Sequence, residues 1–237
     1  MKTEIYKADS RGHVDHGWLT SYHTFSFANY HNPERMNFGA MRVLNDDRVA
    51  PGRGFDTHRH LNMEIVSIPL SGDLEHKDSM GNETIIREGD IQVMSAGTGI
   101  NHSEYNKNDD QEVKFLQIWI MPNARPVAPR YDQMRINENG VKNEFVQILS
   151  PDKDDEGVWI YQKAWFHIGE FTEETTAIYT LKNENDGLFV FVLEGTIQIA
   201  GEILRKRDAI GISDITEAEI SAQSGSKVLL IEVPMDF

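Results

Sequence analysis

The sequence predicts an all-β protein in which one kind of antiparallel unit occurs twice. Three observations lead there. Short apolar runs alternate with turn signals along most of the chain, no long stretch repeats its apolar residues every 3.6 positions, and one segment of the first half is echoed in the second. Any helices should be short.

One strand is expected at 38–44, where Phe, Met, Val and Leu precede the polar triplet Asn45-Asp46-Asp47, read as a turn, and then Pro51-Gly52. A β-branched run at 64–70 ends at Ser71-Gly72-Asp73, a hairpin signal. Met80-Gly81-Asn82 introduces 84–87, and Glu88-Gly89-Asp90 joins that run to 91–95. Residues 114–121 form the strongest apolar run of the first half. In the second half, 145–149 precedes an acidic surface loop at 151–157, Glu194-Gly195 turns 188–193 into 196–200, and 228–233 closes the series.

The echo pairs residues 87–95 with 205–213, 118 positions later. Between the halves, 121–135 carries Pro122, Pro126 and Pro129 without a clear apolar pattern, as a linker would. Two domains are expected, 1–125 and 126–237.

Composition narrows the function. The net charge of −15 disfavours nucleic acid, whose phosphates are held by Lys and Arg, and it disfavours an anionic membrane surface equally. There is no cysteine, which excludes disulfides and thiolate metal ligands. Met1–Lys7 has no apolar signal-peptide core, and no run approaches the ~20 apolar residues of a membrane span. A cytoplasmic setting is the expectation.

The chemistry concentrates in two couplets, His58-Arg59-His60 and His102-Ser103-Glu104. Side chains two apart on a strand share a face, so two neighbouring strands could aim three imidazoles and a carboxylate at one ion while leaving positions open. Glu64, even-numbered like His58 and His60, is a competing carboxylate. His13, His16, His23, His31, His76 and His167 are expected to be structural or exposed. Gly97 and Gly99 would shape the backbone entering the second couplet. Phe38, Met41, Phe55 and Met63 are read as core, or as an apolar pocket wall.

The Gly52–Glu64 segment, with His-x-His-x-x-x-Glu after a glycine and five residues, resembles the first signature of the cupin superfamily of small antiparallel, jelly-roll-like β-barrels. The segment from Gly89 to Asn106 resembles the second signature, with Ser95 where many cupins have proline. Phe25-Ser26-Phe27-Ala28, Phe38–Val43, Asn45-Asp46-Asp47, Gly52–Glu64, Glu75–Gly81, Met94–Glu104 and Gln117-Ile118-Trp119 are similar to the pirin family, most of all to bacterial pirin-like quercetin 2,3-dioxygenases. The resemblance is strong over about 15–125 and looser beyond, where it implies a degenerate second cupin.

That resemblance implies a bicupin with one divalent transition ion on His58, His60, His102 and Glu104. Iron is the first expectation, and manganese, cobalt, nickel, copper or zinc also suit imidazole-rich sites. It implies oxidative opening of a flavonol by dioxygen with loss of carbon monoxide, Glu104 doubling as the catalytic proton acceptor. The partners would then be a small aromatic substrate and dioxygen. A metal-dependent regulatory protein acting through a protein partner is the alternative from another class, and Lewis-acid chemistry on zinc is a third reading. At the 118-residue offset Ile220 and Ala222 replace His102 and Glu104, so the second half should hold no metal.

Overall fold

The computed structural model describes residues 1–136 and 142–237. They form four almost wholly antiparallel sheets, arranged as two jelly-roll-like sandwiches, with one short 3-10 turn at Ala8–Ser10 as the helical element among the described residues. The described strands of each half leave the two sheets separate rather than hydrogen-bonded into a closed ring.

In the first half the large sheet runs, in spatial order, Arg130–Arg135, Asp90–Ser95, Glu64–Ser71, Val113–Ile120, Met41–Val49, Leu19–His23 and Gly12–Asp15. Its small sheet is Gly54–His60, Ile100–Asn106, Leu74–Asp78 and Glu83–Ile86. The second half repeats the plan. A large sheet is centred on Asp186–Glu194, Ser226–Pro234 and Trp165–Phe171, and the small one is Thr175–Thr180, Glu217–Ala222, Thr196–Ile199 and Glu202–Arg205.

The pairing departs from the expected split at residue 125 in two places. Lys2–Tyr6 pairs with Ala209–Ser213 in the second half, and Arg130–Arg135, expected as linker, pairs with Asp90–Ser95 in the first. The prolines stop at Pro129, and the next six residues keep every backbone N–H and can extend a sheet edge.

Alternation decides what each strand face meets. Leu44, Val66, Ile68, Leu116 and Ile118 project from the first large sheet into one continuous apolar cluster with Phe166, Phe189, Phe191, Leu229 and Ile231 of the second. The two large sheets therefore pack on each other, and the protein's biggest core lies between the halves. Phe38 crosses this interface to lie against Gly211, where any Cβ would strike its ring. Asn45, Asp46 and Asp47 do not form the expected turn. They sit in mid-strand, with Asp46 facing the interface between Arg11 (3.4 Å) and Arg207 (3.2 Å).

The two sandwich interiors differ. The second is filled by Leu188, Val190, Ile197, Ile210, Ile220 and Leu230. The first has a small apolar cluster at each end, Leu74–Ile86–Phe115 and Ile65–Met94–Ile100, with polar residues between them.

Candidate metal centre

The Gly54–His60 and Ile100–Asn106 strands are antiparallel neighbours, with His58 opposite His102 and His60 opposite Ile100. The ring centroids of His58, His60 and His102 lie 4.4–4.9 Å apart, and one ligand nitrogen from each falls within 4.8 Å of the others. A first-row ion with bonds of ~2.1 Å would draw such nitrogens to roughly 3–4 Å, so a small closing movement completes the sphere.

The protonation chemistry suits a metal. His58 Nδ1 lies 2.8 Å from the Asp56 carbonyl oxygen, which can only accept, so Nδ1 carries the hydrogen and Nε2 is left as the donor atom. His60 Nε2 and both ring nitrogens of His102 are buried with no hydrogen-bond partner. Burial, with the neighbouring imidazoles adding to it, pushes His60 down to about 4 and His102 to about 3. His60 and His102 are thus held as neutral imidazoles with free lone pairs and His58 turns Nε2 outward as an acceptor atom, a donor set that fits a divalent ion.

Glu104 follows His102 by two residues on the same buried face, beyond a bulge in the pairing. Its carboxylate stands outside the 4.8 Å histidine cluster and is held by hydrogen bonds. Gln117 Nε2 donates to both oxygens (3.2 and 3.1 Å), Ser67 Oγ donates to Oε1 (3.2 Å), and Trp119 Nε1 donates to Gln117 Oε1 (3.2 Å). Trp119 also sets its ring edge-on to His60 at 4.9 Å.

Glu64 is not on this face. The chain turns after His60, and Glu64 opens a strand of the large sheet with parity opposite to Ser67. Fully buried, it accepts from Ser95 Oγ at 2.6 Å and lies near Arg130. Of the remaining histidines, His76 is buried behind His102 (5.3 Å between rings), shares Asp78 through Nε2 (3.1 Å) and packs on Tyr131. His23 is buried on Leu19–His23, and burial lowers it to about 4.

A cleft opens beside the cluster, walled by Phe27, Phe55 and Trp119 and floored by Glu104, Gln117 and His58. Phe55 thus lines the site, whereas Phe38 and Met41 belong to the core between the halves. Sequence reasoning gave no place at the site to Gln117, Asn45 and Asp47, although strings that contain them carry the family resemblance. Each is polar at a core-facing strand position, which is the signal that could have found them.

Fold and site define a bicupin in which, among the described residues, the histidine cluster able to hold a metal lies in the first half. Comparison with known proteins agrees. The family model Pirin matches residues 5–120, and the quercetinase C-terminal cupin domain matches residues 147–233. The chain belongs to the pirin family. It is 41% identical over 230 residues to quercetin 2,3-dioxygenase of Escherichia coli K12, covering 97% of this chain and 98% of that one. It is 36% identical to a pirin-like protein of Caulobacter vibrioides, covering 94% and 96%. The crystal structure of the bacterial pirin YhhW from Escherichia coli in complex with nickel(II) superposes with a TM-score of 0.93 at 39% identity, covering 98% and 99% of the two chains.

Proposed function

We propose that this protein is a metal-dependent dioxygenase that opens the central ring of quercetin-like flavonols with dioxygen and releases carbon monoxide. The observation that carries the reading is the cluster of three imidazoles, two of them (His60 and His102) with buried, unpartnered ring nitrogens, beside an aromatic-walled cleft. Kinship with proteins named quercetin 2,3-dioxygenase supports the substrate class.

His58, His60, His102 and Glu104 would hold one divalent ion, with iron first among the candidates. When bound, the ion supplies Lewis acidity toward a flavonol oxygen and a redox-active centre for dioxygen. The chain's own residues do the rest. Phe27, Phe55 and Trp119 clamp a planar ring system and exclude water. Glu104 takes the proton of the flavonol hydroxyl, and Gln117 and Ser67 keep its carboxylate pointed while it does so. The flavonol supplies the electrons, so no nicotinamide or flavin is required. We place this activity in the cytoplasm, in keeping with a cysteine-free chain.

The test is incubation of metal-loaded protein with quercetin in air and under argon. Oxygen-dependent bleaching with one carbon monoxide per flavonol is expected, and it should vanish in His60→Ala. Flavonol that binds in air but is never consumed would instead favour a metal-dependent binding or regulatory protein.

A further inference from the structure

The cleft at the metal centre does not end there. The inner chamber, about 70 Å³, shares Phe27, Asn45, Asp47 and Phe55 with an outer chamber of about 200 Å³. The outer chamber continues between Leu19, Ser21 and His23 on one side and Ala28 and Asn29 on the other. A cavity of ~150 Å³ accommodates a benzene molecule, so the outer chamber has room for one substituted ring.

Its polar lining has hydrogen-bonding capacity left over. Asn45 Oδ1, Asp47 Oδ1 and His23 Nδ1 have no partner, although the three residues are only 3%, 4% and 3% exposed. Ser21, directly across the strand pair, hydrogen-bonds the Asp47 carboxyl and still leaves Oδ1 free. Buried polar groups that serve packing alone are almost always paired. Two unpartnered acceptor oxygens, one on a carboxyl and one on an amide, suit a ligand that brings hydroxyl donors.

We propose that the outer chamber is a hydroxyl-reading subsite. Asp47 and Asn45 accept hydrogen bonds from hydroxyl groups on the part of the substrate that does not reach the metal. The inference rests on the flavonol reading above and narrows it to polyhydroxylated flavonols, because a bare ring in this chamber leaves both acceptors buried and unpaired.

The probe pair is quercetin and 3-hydroxyflavone, which keeps only the hydroxyl adjacent to the central carbonyl. Dissociation constants are measured by fluorescence titration of metal-loaded protein under argon, so that turnover does not enter. Quercetin is expected to bind about 10–100-fold more tightly, and Asp47→Leu should bring the ratio close to one. A native ratio near one overturns the subsite, as does an Asp47→Leu protein that melts normally and keeps the full preference. Should Asp47→Leu not fold, the native ratio decides. Failure of both flavonols to bind fully metal-loaded protein overturns the parent reading and the subsite together, a pattern distinct from binding without preference.

Discussion

His58 and His102 face each other across two antiparallel strands, with ring centroids 4.4 Å apart. The register that sets them opposite also brings in His60, two residues along the first strand. Because the three imidazoles come from two hydrogen-bonded strands, their cluster is assembled by the fold itself. Removing one imidazole takes away one of the four groups proposed to hold the ion. His102→Ala is therefore expected to lower metal affinity by well over the ~10–100-fold typical of losing an outer hydrogen bond. Elemental analysis after dialysis against a metal buffer measures this, and full metal retention would falsify the assignment.

Gln117 makes a sharper test of how Glu104 is held. Its amide donates to both carboxylate oxygens while its own oxygen accepts from Trp119. Gln117→Leu keeps the volume roughly constant but strips a buried carboxylate of its main donor. Stability should fall by about 1–3 kcal/mol, and metal affinity by about 10–100-fold. Denaturant melts and metal titration read the two effects separately. Unchanged metal affinity would show that the orientation of Glu104 does not matter to the ion.

The clustering of His58, His60 and His102 was legible in the sequence because residues two apart on a strand share a face, as His58 and His60 do. Glu64 obeyed the same arithmetic and misled, since a turn at Leu61–Met63 carries the chain into the other sheet before it. Asn45-Asp46-Asp47 reads as a turn by composition, yet it lies in mid-strand and its side chains alternate between two faces. Asn45 and Asp47 line the cleft, and Asp46 meets two arginines at the interface between the halves. The exchanged strands Lys2–Tyr6 and Arg130–Arg135 left no local sign, because their partners lie over 200 residues away in one case and some 40 in the other.

Glu64 yields a prediction about pH. Burial, the largest influence, pushes its carboxyl from 4.5 up to about 7, against the Ser95 hydrogen bond and the charge of Arg130. In the unfolded chain the group keeps its ordinary value, so between pH 4.5 and 7 the folded state binds more protons. Its contribution to stability is thus full below pH 4.5 and is lost as pH rises through 7. Glu64→Gln removes that loss. The Tm of the variant relative to the native protein should rise from pH 5 to pH 8, by an amount corresponding to roughly 2–3 kcal/mol. A pH-independent difference would mean that Glu64 ionises normally inside the fold.

Gly97 guards the approach to the second couplet. Its φ is +47°, and a Cβ there would run into the Val127 carbonyl oxygen. Gly97→Ala must either displace the 121–129 segment or shift the strand that carries His102. A loss of about 2 kcal/mol is expected, equivalent to a fall in Tm of roughly 4–8 °C. Metal affinity should weaken in the same variant. A melting temperature equal to that of the native protein would show that neighbouring backbone yields without cost.

The halves should unfold as one body. Lys2–Tyr6 enters the second large sheet before the first is begun, and Arg130–Arg135 returns to the first after the chain has left it. Phe189, in the second half, packs against Tyr6, Phe25 and Phe38 at centroid distances of 5.3, 5.9 and 5.5 Å. Neither large sheet can shed its partner without exposing that cluster to water, a penalty larger than the few kcal/mol that separate folded from unfolded domains. Calorimetry should show a single transition, with calorimetric and van't Hoff enthalpies in agreement. Phe189→Ala, costing about 3–5 kcal/mol, should move that whole transition rather than split it. A fragment of residues 126–237 lacks its outermost large-sheet strand as well as the apolar surface that covers the sheet face, and should not hold a native fold. If two well-separated transitions appear, or that fragment melts cooperatively alone, the shared core is not what binds the two sandwiches.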